Sequence, residues 1–324
     1  MNYTYFYKKK FHSLDEIVAL SDDYDIFISS FVNSDRILSL ASNIRYKESL
    51  WLVENDDCQN LFVADKTKLI IQPNEDYLII KQQLQSLNLQ NKSICIDVTG
   101  FRIPYLLFLM RTLYEIGIKR FDMYYTEPQK YREAEDTIFS DFFYDVKTIA
   151  GMTGLNTSET ENDLMIIAAG YDHSRIIDVA NSKKSAKKVL LFGFPALSPC
   201  MFQENIIKAY KAETSVKDSF RNIDSNIFSP AYDPFITAQA IHDYVEQKRV
   251  VLRKQCNNIK ADFTNIYLTP LSTKPHAIGM ALYFIWEKGW HKNITMLYPL
   301  CGKYHLDNSD GIAHIWRYTI EFPK

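Results

Sequence analysis

The chain reads as an α/β protein: an open, mainly parallel sheet with helices on both faces. Three observations predict this class. Short apolar runs alternate with segments whose apolar residues recur at the helical period. Several of the runs are apolar throughout, as strands covered on both faces are. Small or polar turns separate most runs from the helix that follows, the pattern of βαβ units. With 324 residues, 47% hydrophobic and 23% charged, the chain can bury one large α/β domain or two smaller ones.

The first strand is Y-D-I-F-I-S-S (24–30), followed by a helix that Asn33 or Ser34 can cap and by the strand S-L-W-L-V (49–53). L-F-V-A-D (61–65) and K-L-I-I-Q (68–72) make a short pair, and 75–87 favours a helix. The next unit is sharper. An apolar strand at 94–98 meets a turn at Thr99-Gly100, an apolar helix runs from 103, Gly117 stops it, and a strand follows at 121–125. After a less regular stretch (127–162), the pattern returns with a strand at 164–170, a turn from Tyr171 to Ser174, a helix to 181, the strand K-V-L-L-F-G-F-P (188–195) and a helix at 199–212. Residues 215–234 are polar and turn-rich, a loop or a boundary, and 235–254 form a helix. A strand at 265–268, a helix at 275–287 and a strand at 294–297 follow; the tail G-I-A-H-I-W-R-Y-T-I-E-F (311–322) alternates like an edge strand.

Two of these units match. Ile96-Asp97-Val98-Thr99 leads to Pro104, an apolar helix and Glu115-x-Gly117, while Ile266-Tyr267-Leu268-Thr269 leads to Pro275, an apolar helix and Glu287-x-Gly289. The match is either a duplicated Rossmann-like module or the common form of a βαβ unit whose helix ends at glycine. Modules at 1–150 and 151–324 express the first reading, and one continuous domain carries the same elements.

Composition excludes several function classes. Lys plus Arg is 37 against 39 for Asp plus Glu, so a net charge of −2 creates no global field for nucleic acid or an anionic membrane. The basic patches, Lys8 to Lys10 and the cluster Lys183, Lys184, Lys187 and Lys188, read as solvated faces, since neither is interleaved with stacking residues over a long span. Five scattered cysteines without C-x-x-C spacing suit a reducing interior. No run approaches the roughly 20 apolar residues of a membrane span, and a cytoplasmic location is expected. The 21 Tyr and 20 Phe serve a core, a ligand cleft or an interface.

In an open parallel sheet, ligands bind beyond the carboxyl ends of the strands, where turns are free of packing duties and helices present unpaired amides. The most polar turns fall there. Ser29 and Ser30 end one strand; Asp97, Thr99, Gly100 and Arg102 follow another; Gly170, Tyr171 and Arg175 follow a third, with Asp172 and His173 between them; Thr269, Ser272, Thr273 and Lys274 follow a fourth. Ser272 and Thr273 offer hydroxyls to a phosphate and Lys274 a charge at the positive end of a helix, or a hydroxyl of this turn simply caps the helix. Gly100 admits close approach of a ligand, and Arg102 can pair bidentately with phosphate. Asp97 either takes a ribose hydroxyl, orients Arg102, or is structural. Asp172 and His173 are candidates for proton transfer, with Glu204, Asp233 and Glu127 as further carboxylates. Neither G-x-G-x-x-G, G-x-x-x-x-G-K-[ST] nor G-x-S-x-G occurs, and the histidines lack metal-ligand spacing, so neither a cofactor nor a metal is expected.

The segments V-T-G-F-R-I-P-Y-L-L-F-L and L-T-P-L-S-T-K-P-H-A-I-G-M-A-L resemble the strand–turn–helix segment of CRISPR-associated Rossmann-like (CARF/SAVED-type) sensor domains and their relatives in bacterial defence. Thr269, Thr273 and Lys274 match in the later segment, and Thr99 and Gly100 in the earlier one; Leu271 and Ser272 stand where that family tends to have glycines. The resemblance implies a nucleotide-binding or signalling component of antiviral defence, working with a protein partner or as a homo-oligomer. An enzyme acting on a nucleotide or phosphorylated nucleoside, with Asp172 and His173 near the chemistry, is the other class the residues allow.

Overall fold

The computed structural model describes residues 2–3, 7–54, 67–71, 77–131, 140–221, 225–304 and 309–322. The chain forms two compact units, one of Phe6–Phe139 with His305–Lys324 and the other of Met1–Tyr5 with Ser140–Tyr304. The fold is α/β, with mixed, mostly parallel sheets, helices on both faces and two similar sheet modules.

In the first unit, strands β1 (Lys8–Phe11), β2 (Tyr24–Ser30), β3 (Tyr46–Glu54), β4 (Thr67–Ile71), β5 (Ile94–Asp97), β6 (Arg120–Tyr131) and, from the end of the chain, β13 (Ser309–Glu321) make a seven-stranded sheet in the order β1-β13-β6-β5-β2-β3-β4. From β6 to β4 every pairing is parallel, whereas β13 pairs antiparallel with both β6 and β1. Helices α1 (Leu14–Leu20), α2 (Asp35–Asn43), α3 (Tyr77–Ser86) and α4 (Ile103–Glu115) join them. Ile37, Leu40 and Ala41 of α2 pack on Phe27, Trp51 and Cys95, and α4 is apolar nearly all round because it is buried nearly all round. Gly117 ends that helix region with φ 83°, a conformation that favours glycine.

The second unit repeats this plan. Strands β7 (Ser140–Thr148), β8 (Leu164–Ala168), β9 (Lys187–Gly193), β10 (Ile227–Ser229), β11 (Ile266–Pro270) and β12 (Ile294–Tyr304) lie in the order β10-β9-β8-β11-β12-β7, parallel except for β7. Its helices are α5 (His173–Ser182), α6 (Met201–Tyr210), α7 (Lys217–Arg221), α8 (Pro234–Gln255) and α9 (Lys274–Glu287). Ile176 and Val179 of α5 and Ala209 of α6 cover Met165, Ile167, Leu190 and Tyr267. Strand alternation turns Ile166, Ala168, Val189 and Leu268 to the other face, where they are also buried.

Both sheets place their parallel strands in the doubly wound order 3-2-1-4-5. The matched segments of the sequence occupy equivalent positions in it, since β5 and β11 each lie beside the first parallel strand of their own sheet. Several expectations are corrected. The alternating tail is not an edge strand, because β1 covers its free side. The turn-rich stretch 215–234 holds α7 and the parallel strand β10, and the less regular stretch 127–162 holds the end of β6 and all of β7. Residues 61–65, read as a strand, lie outside the described residues.

Candidate functional site

Sequence order reverses between β2 and β5 in the first unit and between β8 and β11 in the second. At such a switch point neighbouring turns diverge to opposite faces and leave a crevice at the carboxyl ends of the strands. The four predicted turns follow these four strands. They belong to two sheets where one was expected, and the structure brings them together as two pairs.

In the first unit the turns touch closely. A Cβ on Gly100 would lie 2.1 Å from the Ser30 carbonyl oxygen, so only glycine lets the turn after β5 lean on the end of β2. The polar groups here are turned inward. Asp97 accepts from the Thr99 amide at 2.9 Å and from the Ser29 hydroxyl at 3.2 Å, and the Thr99 hydroxyl accepts from the Thr126 amide at 3.1 Å. Ser29, Ser30, Asp97, Thr99 and Arg102 are all buried, and Arg102 stands at the N-cap position of α4 without a side-chain capping bond. Arg36, which the sequence pattern did not single out, reaches the same edge from the first turn of α2 and donates to the Thr126 carbonyl at 2.8 Å. Asp97 thus serves the fold, tying β2 to the turn after β5.

The second unit makes the same approach with the roles exchanged. A Cβ on Gly170 would lie 2.0 Å from the Leu271 carbonyl oxygen. Here the polar residues are more accessible: Asp172, His173, Ser272, Thr273 and Lys274 are each part-exposed, although Thr269, Tyr171 and Arg175 are buried. Thr273 is the N-cap of α9. Its hydroxyl donates to the Ala231 carbonyl at 2.6 Å and accepts from the His276 amide at 3.4 Å. Lys274 is the first residue of that helix, and Pro275 follows it in the first turn.

Asp172 and His173 stand at the start of α5, but Asp172 is engaged elsewhere. It accepts from the Ser174 hydroxyl at 2.6 Å and faces the Arg175 guanidinium at 3.7 Å. Arg175 also donates to the Tyr298 hydroxyl at 3.3 Å and lies over that ring. Of the further carboxylates, Glu204 accepts from the Tyr171 hydroxyl at 2.7 Å, Asp233 caps α8 through the amides of Phe235 and Ile236, and Glu127 accepts from Trp316.

The structure adds one residue of consequence, His276. Its ring is fully buried and sits between the hydroxyls of Ser272, 3.0 Å from Nδ1, and Ser229, 3.3 Å from Nε2. Burial lowers the imidazole to about 4, against a smaller opposing pull from the backbone carbonyls of Ser229 and Pro230. A neutral ring has one donor and one acceptor nitrogen, so it bridges the two hydroxyls and fixes Ser272 in the part-exposed turn after β11. Ser272 stands one residue before the N-cap Thr273, four residues from His276 and near it in the chain; Ser229, on β10, left no such signal.

No protein-family model matches the chain, and no curated protein matches it. Among the described residues, no helix is long and apolar enough to cross a membrane. A Rossmann-like α/β protein with polar turns at each of two switch points is the class that fold and geometry define.

Proposed function

We propose that this chain is a nucleotide-binding or signalling protein that holds a phosphorylated ligand at the carboxyl ends of β8 and β11. The observation that carries the reading is the approach of Gly170 to the Leu271 carbonyl. It sets the turn bearing Ser272, Thr273 and Lys274 against the turn bearing Asp172 and His173, at the place where doubly wound sheets take their ligands. The start of α9 contributes partial positive charge and Lys274 a full one. Part-exposed polar residues favour this site over its counterpart in the first unit, where Asp97 and the hydroxyls of Ser29 and Thr99 are engaged internally.

Binding is favoured over chemistry because Asp172 is engaged by Ser174 and Arg175, and His276 is enclosed between Ser272 and Ser229 with no access to solvent. A role in bacterial defence, with a protein partner or a second copy, rests on the resemblance of the T-G-F-R and T-P-L-S-T-K segments to CRISPR-associated sensor domains. Calorimetric titration of the wild type and Lys274→Ala against a panel of linear and cyclic nucleotides tests the reading. A ligand that binds the wild type, is recovered unchanged after prolonged incubation, and is weakened by the substitution supports it. Turnover that disappears in His173→Ala would replace binding with catalysis.

A further inference from the structure

At the opposite edge of the second sheet, a cleft of about 810 Å³ opens beside the amino-terminal ends of β8 and β9. Its walls come from those strand ends, the end of α5, the segment around α7 and one face of α8, and they carry five lysines against two carboxylates. Lys184, Lys187 and Lys217 are exposed and Lys248 part-exposed, so their ammonium groups are available to a ligand in the cleft. Lys188 is committed: it donates to the carbonyls of Lys183 and Lys184 at 2.6 and 2.8 Å, where it binds the carbonyl end of α5. One of the two carboxylates, Asp163, already accepts from Thr264 and Asn265, at 2.5 and 2.7 Å.

A second feature points to an occupant. Tyr244 lines the cleft, and its hydroxyl is buried with no hydrogen-bond partner among the described residues. Burial pushes the phenol up to about 12, so it keeps its proton and is a donor near neutral pH. A buried polar group without a partner is unfavourable, and a ligand oxygen would satisfy it. Lys248 lies over the same ring, 5.1 Å from its centre, which joins the charge to the donor.

We infer that this cleft binds a compact polyphosphate group, either the triphosphate of a nucleotide or free tripolyphosphate. The excess of lysines over carboxylates matches a ligand of several negative charges, and the volume is that of a small-molecule site. A nucleic-acid strand fits less well, because tracking one takes a run of stacking rings and Tyr244 and Phe263 are the aromatic lining residues. The protein's own net charge is −2, so the attraction is local to the cleft.

Titration of the full chain with tripolyphosphate, ATP and AMP at low salt tests this. Tripolyphosphate and ATP bind with Kd below about 1 mM, and AMP binds at least about tenfold more weakly. Lys184→Glu combined with Lys187→Glu weakens both ligands by about tenfold or more, and Tyr244→Phe by a few-fold. The same two reversals made in a Lys274→Ala background produce the same losses, which separates this cleft from the site proposed at the carboxyl ends of β8 and β11. Should the charge reversals lower the melting temperature, Lys217→Ala with Lys248→Ala carries the same expectation. Absence of tripolyphosphate binding to the wild type at about 1 mM, binding of ATP alone, or equal affinity in folded lysine variants overturns the inference.

Discussion

The Ser272 hydroxyl lies 3.0 Å from Nδ1 of His276, four residues further along the chain, where burial leaves the imidazole no access to solvent. Burial holds this ring at about 4, below the usual 6.5. Between those values the unfolded chain carries a proton that the folded chain does not. The resulting stabilisation is complete above about pH 6.5 and is lost as the pH falls from there to about 4, by an amount on the order of 3 kcal/mol. Thermal melts across this range should fall less steeply for His276→Gln than for the wild type. Parallel curves would show that the ring is not held neutral.

Gly170 should tolerate no side chain. Because the obstacle to its Cβ is the Leu271 backbone rather than a flexible side-chain end, Gly170→Ala must push the two turns apart and cost about 1–3 kcal/mol or more. Gly289, whose Cβ would meet nothing within 4 Å, is the internal control. Its replacement by Ala should leave the denaturation midpoint almost unchanged.

Asp97 offers a test of structural against ligand-binding use. Asp97→Ala strips the buried Thr99 amide and the Ser29 hydroxyl of their acceptor, with an expected loss of about 1–3 kcal/mol. Asp97→Asn keeps one carbonyl oxygen for the amide and should lose less. Chemical denaturation of both variants checks the order, and an alanine variant as stable as the wild type would remove the tie between β2 and the turn after β5.

Lys274 carries opposite expectations for binding and for folding. A cation in the first turn of α9 opposes the helix dipole, so Lys274→Ala should melt at the same temperature as the wild type or slightly higher. If the turn holds a phosphate, the same change removes a charge-assisted contact of about 1.5–3 kcal/mol and weakens the ligand by about tenfold or more. Titration and melting on one protein sample separate the two effects.

Local chemistry determined a large part of this protein. Apolar runs such as Leu164–Ala168 and Ile266–Pro270 marked their strands, and the glycine after the helix in both matched segments fitted either a repeated module or two ordinary βαβ units. The general rule for parallel sheets then placed Ser29, Asp97, Gly170 and Ser272 at strand ends. Tertiary pairing decided the rest. Nothing in the period of residues 311–322 says that they return to β6 and are covered by β1, and three residues at 227–229 are too few to show a strand pattern without β9 beside them. The crevice depends on such contacts. Gly100 and Gly170 look alike in sequence until the carbonyls of Ser30 and Leu271 stand against them, and His276 becomes a neutral bridge only when Ser229 arrives from 47 residues away. Periodicity is a property of neighbours along the chain, whereas the closeness and burial of these groups come from strands that find each other across long separations, and those pairings leave no mark on the local pattern.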